Sequence, residues 1–179
     1  MKFATLITIL ATISGAYSMV IKRDTPVKKV ITDLTAAFDK LDTAAIAFDG
    51  NVQPVVNAAD YVISLIGSGQ TIAEGAAPIG LGDAATLLDP IKELDGHIKT
   101  FFNDLKGRVG DVGKAKQCDV ALGKLGTINS TCQKLIGAIV DKVTSTFAKA
   151  QAKPYFDDIK NLLAQSQDLF VKGNCVNAS

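Results

Sequence analysis

Apolar residues recur at helical spacing in five stretches of the chain, and glycines and prolines separate these stretches. Thr25 followed by Pro26 is typical of a helix start, because threonine caps a helix and proline suits its first position. The pattern predicts a first helix over about 26–48. A second helix is expected to open at Pro54. It precedes a run of five glycines and one proline within 67–82, part of which is expected to be a mobile connector.

The remaining pattern predicts three more helices. The third is expected to start near Asp83 and to end at the glycines Gly107, Gly110 and Gly113, with Pro90 as a kink or its true start. The fourth is predicted over about 114–150, and Pro154 is expected to open the fifth. No comparable stretch alternates as a strand would. We therefore predict an all-α, single-domain bundle of about five helices, mostly antiparallel, with a central hydrophobic cavity.

The first 23 residues look like a secretory leader. Lys2 followed by a short apolar run predicts a signal peptide over 1–18 and a short propeptide over 19–23 that ends in a Lys-Arg pair, leaving a mature domain over 24–179. Processing would remove three of the 19 basic residues and none of the 18 acidic ones, which leaves a net charge of −2. This balance argues against nucleic acid as a partner. We expect no further membrane span and no lipid-anchor signal, and therefore a secreted, released protein.

Motifs of catalysis and metal binding are absent from the sequence. There is no Gly-x-Ser-x-Gly elbow, no paired-histidine metal motif and no Cys-x-x-Cys, and His97 is expected to be a surface residue. The Gly80–Ala85 segment fits a dinucleotide fingerprint but lacks the preceding strand that such a site needs. We therefore expect no enzymatic activity, no cofactor and no bound metal.

Three cysteines in a secreted chain predict one disulfide and one free thiol. If helices 4 and 5 form a hairpin that turns near residue 152, Cys132 is the closest partner of Cys175, so a Cys132–Cys175 bridge is predicted. A bridge from Cys118 is the alternative and requires a long return segment after helix 5. Asn129 begins a glycosylation sequon, although it falls in the middle of a predicted helix.

Two hydroxyl residues interrupt the apolar faces of helices 4 and 5, namely Thr146 and Ser166. A buried hydroxyl requires a hydrogen-bond partner. The simpler partner is a backbone carbonyl one helical turn earlier, and the alternative is the head group of a bound ligand.

The leader, the Lys-Arg site and the apolar stripes of helices 1 and 3 together resemble the fungal hydrophobic surface-binding protein A family, whose relatives include the cell wall galactomannoproteins. These stripes comprise Leu34, Phe38 and Leu41 in helix 1 and Leu94, Ile98, Phe101 and Leu105 in helix 3. The resemblance implies a five-helix secreted fungal protein that binds fatty acids in a central tunnel or adsorbs to hydrophobic surfaces. Wall-bound members carry a Ser/Thr-rich tail and an anchor signal that this sequence lacks, which favours a diffusible form, at most loosely associated with the wall.

Two functions follow from this resemblance. In the first, the protein binds a long-chain fatty acid, which enters near the 67–82 loop and lies between its helices. The protein is expected to be a monomer, with a dimer as the alternative. In the second, it is an adhesin for hydrophobic surfaces that recruits secreted hydrolases and binds no stoichiometric ligand. The residues expected to line the tunnel are Leu34, Phe38, Leu41, Val62, Ile66, Leu94, Ile98, Phe101, Leu105, Ile139, Val143, Ile159 and Leu162, with Thr146 and Ser166 as head-group contacts.

Overall fold

The computed structural model describes residues 25–179, so the predicted leader and Lys-Arg site lie outside the described residues. The helices are α1 (Pro26–Ile46), α2 (Gln53–Gly75), α3 (Leu81–Lys114), α4 (Cys118–Lys142) and α5 (Thr146–Asp168). The described part of the chain forms no strand, and the predicted all-α fold is confirmed. None of these helices is long and apolar enough to cross a membrane.

α1 begins where its sequence predicts. The Thr25 side chain accepts a hydrogen bond of 3.2 Å from the backbone N–H of Lys28, and Pro26 occupies the first helical position. The apolar face of α1 is buried along its whole length, from Val27 to Ala45. After α1 the chain reverses through residues 47–52, where Gly50 adopts a φ of +107°.

α2 is longer than the glycine content of its second half predicts. It continues through Gly67 and Gly69 to Gly75, so only the later part of the glycine-rich 67–82 run connects two helices. The helix persists because its buried face offsets the cost of about 1 kcal/mol that each internal glycine adds. The connection to α3 is only residues 76–80, and Ile79 is held by backbone hydrogen bonds to Lys142 and Thr144.

The other helix boundaries also differ from the glycine and proline pattern. α3 runs through Pro90 and through Gly107 and Gly110 to Lys114. α4 ends at Lys142, and α5 begins at Thr146, eight residues before Pro154. The Ser145 side chain caps α5 by accepting a hydrogen bond of 3.3 Å from the Ala148 N–H, so the cap rather than the proline sets the start.

The five helices form a closed ring. Each packs chiefly against two neighbours, in the order α1, α2, α4, α5, α3 and back to α1, while α3 and α4 contact each other only weakly. Consecutive helices run antiparallel because their connections are short. The contacts of Asp39 with His97 and of Ile46 with Arg108 show that α1 runs parallel to α3. Those of Asp60 with Lys124 and of Gly69 with Leu135 show the same for α2 and α4.

Large side chains fill the middle of the ring. Phe38 of α1 and Phe101 of α3 meet edge to face with their ring centroids 6.0 Å apart, and both are almost fully buried. Ile66, Ile128 and Ile159 reach the same core from α2, α4 and α5. Every helix therefore contributes its apolar face to one shared core.

The disulfide joins Cys118 to Cys175, and Cys132 is the buried free thiol, so the predicted Cys132–Cys175 bridge is wrong. The prediction assumed a turn near residue 152, whereas the chain turns at 143–145. An earlier turn brings Cys175 to the start of α4 instead of its middle. The bridge spans 57 residues, and closing a loop of this length stabilises the fold by about 4 kcal/mol in the chain-entropy account.

Two glycines of α2 provide a matched test of its packing. A Cβ atom at Gly69 would lie 2.4 Å from Cγ1 of Val30, whereas a Cβ atom at Gly67 would meet nothing within 4 Å. We expect Gly69→Ala to lower the free energy of unfolding by about 1–3 kcal/mol because the two helices must move apart. Gly67→Ala should raise it by about 0.5–1 kcal/mol through helix propensity. Urea denaturation followed by circular dichroism measures both, and equal effects of the two changes would contradict the close packing.

Candidate functional site

A cavity with a largely apolar wall lies inside the ring at the end that holds the Cys118–Cys175 bridge, called here the disulfide end. Its volume is about 70 Å³. The apolar wall consists of Leu41, Ala45 and Phe48 from α1 and its following connection, Val52, Val55, Val56 and Ala59 from the start of α2, Phe101, Leu105 and Val112 from α3, Val120, Ala121, Leu125 and Ile128 from α4, and Phe170. This arrangement suits an apolar guest.

Polar side chains occur only at the margin of this cavity. Arg108 of α3 and Lys124 of α4 are its charged members, and Gln117 is the remaining polar one. Arg108 donates from Nη2 to the backbone carbonyl of Ile46 at 2.5 Å. Lys124 Nζ contacts a carboxylate oxygen of Asp60 at 2.5 Å. The charged members of the cavity wall are therefore both cations.

A smaller cavity of about 20 Å³ lies at the opposite end of the bundle, called here the Ile79 end because Ile79 bridges to Val143 there. It is enclosed by the first half of α3, the end of α4 and the first half of α5. Its charged wall residue is Lys149. Together the two cavities mark the ends of the ring interior.

All thirteen apolar residues expected to line a tunnel are buried in the structure. Leu41, Phe101 and Leu105 line the cavity at the disulfide end, and Ile139 and Val143 line the smaller one. The other eight pack in the core between the cavities: Leu34, Phe38, Val62, Ile66, Leu94, Ile98, Ile159 and Leu162. The periodicity therefore identified the core correctly, while the space within it is confined to the two ends.

Sequence reasoning missed most of the wall at the disulfide end. Val52, Val55, Val56 and Ala59 come from the beginning of α2, and Val120 and Ala121 come from the first turn of α4. These positions hold alanine and valine, whereas the middle of the ring holds phenylalanine, leucine and isoleucine. Side-chain size was therefore the sequence signal that could have identified the cavity wall. Small side chains on converging helices leave space between them.

The two hydroxyl residues take different positions. Ser166 is fully buried and donates a hydrogen bond of 2.8 Å to the backbone carbonyl of Leu162, which is the simpler of the two expected partners. Thr146 is exposed at the first residue of α5, so its expected burial in the face of helix 4 is wrong. The reason is that α4 ends before this residue.

Comparisons with known proteins now identify the family. The family model described as hydrophobic surface binding protein A matches residues 25–141. The chain belongs to this family. A similar protein, cell wall mannoprotein 1 of Aspergillus fumigatus, is 27% identical over 108 residues, which are 59% of this chain and 38% of that protein. The match thus spans well under half of the length of that relative.

Solved structures share the fold of this family member. Ligand binding domain 1 of the Penicillium marneffei MP1 protein, complexed with arachidonic acids, superposes with a TM-score of 0.78 at 20% identity and covers 84% of this chain and 100% of that chain. The crystal structure of AFMP4P in complex with palmitic acid has a TM-score of 0.74 at 16% identity, covering 80% and 97%. At these identities the likeness establishes the five-helix fold.

The remaining candidate residues of this hydrophobic surface binding protein A member lie outside both cavities. Asn129 is half-buried in the middle of α4, where its amide donates to Gln167 of α5 at 3.2 Å. A glycan on Asn129 would have to replace that bond. Burial raises the pKa of the Cys132 thiol to about 12, so this thiol is unreactive at neutral pH.

A carboxylate group beside the cavity wall lies in an unfavourable environment. Asp42 follows Leu41 on α1, and its Oδ1 atom is buried with no hydrogen-bond partner among the described residues. Burial raises the pKa of Asp42 above its ordinary value of 3.8, and the negative charges of Asp104 and Asp39 raise it further. The charged form of Asp42 therefore opposes folding.

We expect the stability of the protein to depend on pH through Asp42. Because its pKa is raised in the folded state, the free energy of unfolding decreases as the pH rises from 3.8 through the folded-state value. Asp42→Asn should therefore be more stable than the wild type at neutral pH, and this difference should vanish below 3.8. Thermal unfolding over a pH series measures the difference.

Asp157→Asn is the matched control, because a hydrogen bond from Lys153 lowers the pKa of Asp157. Its effect at neutral pH should have the opposite sign. A stability gain of Asp42→Asn that is the same at every pH would contradict the electrostatic explanation.

Proposed function

We propose that this protein is a secreted, non-catalytic binder of long-chain fatty acids. The hydrocarbon chain of the fatty acid lies inside the helix ring and extends from the cavity at the disulfide end. The observation that carries the proposal is that cavity itself, an interior space with an apolar wall from four helices and charged groups only at its margin. The fold supports it, since solved relatives with the same arrangement contain arachidonic or palmitic acid. Location outside the cell or at the cell wall fits the named relatives.

The size of the cavity implies that binding moves the helices. A volume of about 70 Å³ is well below the roughly 300–1,000 Å³ of typical ligand pockets. Each methylene transferred from water contributes about 0.8 kcal/mol, so ten of them provide a gross gain of about 8 kcal/mol. This gain is available to separate side chains in the ring interior between α3 and α4, which are not neighbours in the ring. We expect the chain to advance towards Phe101, which lines the inner end of the cavity.

The expected mouth of the tunnel changes with the structure. A mouth near the 67–82 segment would lie at the Ile79 end, where the cavity is smaller and Ile79 is held by backbone hydrogen bonds. We therefore place the mouth at the disulfide end, beside the connection 47–52, which supplies Phe48 and Val52 to the wall. A monomer is sufficient for this function.

Adsorption to hydrophobic surfaces is the second candidate. Two large apolar side chains are exposed at the Ile79 end, namely Leu81 at 55% and Phe147 at 64%, each in the first turn of its helix. Residues of this kind would contact an apolar surface without any change in the core. This function would leave the cavity at the disulfide end without a role, so the two candidates are separable.

Filling the cavity should weaken fatty acid binding without unfolding the protein. Ala121 lines the cavity, and in Ala121→Leu the added carbons occupy space for about two methylenes of the ligand, which at about 0.8 kcal/mol each predicts a loss of affinity of about tenfold. The free energy of unfolding should stay the same or rise, because the side chain fills a void. Displacement of Nile red by palmitate measures the affinity.

Ala138→Leu is the control, because Ala138 lies on the same helix but lines neither of these two cavities; it borders an open surface groove together with Glu74, Lys134 and Asp141. Its palmitate affinity should stay within about twofold of the wild type. Equal affinities of the two variants would contradict binding at the disulfide end. Failure of the wild type to bind palmitate would leave surface adsorption as the function.

A further inference from the structure

We infer that Arg108 and Lys124 bind the anionic head group of the ligand at the mouth of the cavity at the disulfide end. This inference rests on the proposed function and adds two things to it: the direction in which the ligand lies, and the charge that the site selects. The ligand class is a single-chain amphiphile with a carboxylate head. Its apolar end would then point along the ring interior towards the Ile79 end.

The placement of the two cations carries the inference. They extend from different helices, α3 and α4, whose mutual contacts are weak, and both line one apolar cavity. Each side chain is 33% exposed, so its charged end reaches solvent while its stem borders the apolar wall. Arg108 is also the one arginine of the chain outside the leader. No carboxylate lines the cavity itself, and the carboxylates that pair with the two cations, Asp60 and Asp111, lie outside its wall.

Both cations keep donors for a ligand. The guanidinium group has five N–H donors. One goes to the Ile46 carbonyl, and Nη1 lies 3.5 Å from an Asp111 carboxylate oxygen, which is a weak contact. Lys124 has three N–H donors, of which Asp60 takes one. Asp60 and Asp111 are themselves well exposed, so exchanging either for a ligand carboxylate costs little.

Other polar groups are less suitable for the head group. Ser166 is fully buried and already donates to the Leu162 carbonyl, and Thr146 lies in solvent at the Ile79 end. Lys149 lines the smaller cavity at the Ile79 end as a single cation. A ligand bound in the opposite direction would place its head group near Lys149, so this residue is the natural control.

The experiment uses three ligands with the same chain and different head groups: dodecanoate, 1-dodecanol and dodecyltrimethylammonium. Isothermal titration at mildly alkaline pH and low salt gives their affinities for the full mature protein. Charge-assisted hydrogen bonds predict that the wild type binds dodecanoate about tenfold or more tightly than dodecanol. Lys124→Glu should lower dodecanoate affinity by about tenfold or more and raise the affinity for the ammonium ligand, while dodecanol changes by less than about twofold.

Three further variants complete the test. Arg108→Gln should lower dodecanoate affinity by about tenfold and leave dodecanol affinity unchanged. Arg108→Lys should cause a smaller loss of dodecanoate affinity, because lysine keeps the charge but lacks the planar fork of donors. Lys149→Glu should leave all three ligands within about twofold of the wild type. Should Arg108→Gln fail to fold, as judged by circular dichroism, the Lys124→Glu result decides.

Several outcomes would overturn the inference. Equal losses of dodecanoate and dodecanol in Lys124→Glu would show a structural role of the residue instead of head-group binding. A selective loss of dodecanoate in Lys149→Glu alone would place the head group at the Ile79 end. Wild-type binding of dodecanoate and dodecanol with equal affinity would refute charge selection and leave the proposed function intact. Binding of none of the three ligands would refute the proposed function as well.

Discussion

The shared interior of five helices is the constraint on which the rest of this structure depends. In a regular ring of five helices packed at about 9 Å, each axis lies about 8 Å from the centre, which is farther than a helix with small side chains reaches. Phenylalanine, leucine and isoleucine must therefore fill the middle, and Phe38 and Phe101 do so by meeting edge to face. Where alanine and valine replace them, at Ala45, Ala59 and Ala121, the ring leaves a cavity. The size of the interior residues thus sets the position of the candidate site.

The C-terminal segment secures the end of the ring where this cavity lies. Cys175 is bonded to Cys118 at the start of α4, and the backbone N–H of Ala178 donates to the Gly113 carbonyl at 2.9 Å. Phe170 is almost fully buried and contributes to the cavity wall. The tail therefore holds the α3 and α4 ends in place, whereas the connection 47–52 on the other side of the cavity has no such covalent tie. Movement on ligand binding is expected on that side.

Hydrophobic periodicity predicted which face of each helix is buried, but not which helices pack against each other. Residues such as Leu34, Ile98 and Ile159 were assigned to the interior correctly, because one apolar stripe per helix leaves a single way to bury it. The order of the helices around the ring depends on long-range packing, so the location of the cavity could not be read from any one stripe. Arg108 and Lys124 were missed for the same reason, since neither interrupts an apolar stripe.

The errors at the helix ends share one physical cause. Gly67, Gly69 and Pro154 have strong local preferences, yet the buried faces of α2 and α5 outweigh them. The wrong disulfide followed from the same misjudgement, because a turn placed at Pro154 moves Cys175 away from Cys118. The close contact with Val30 explains why position 69 holds a glycine. A contact between residues so far apart in the chain cannot be recognised from a single sequence.

Native mass spectrometry of the secreted protein, purified without detergent and followed by organic extraction and lipid identification, tests the central claim most directly. The account predicts a stoichiometric complex of the protein with a fatty acid, which is lost on extraction and regained when palmitate is added. A protein that carries no lipid and also fails to take up added palmitate would contradict a fatty acid site inside the helix ring.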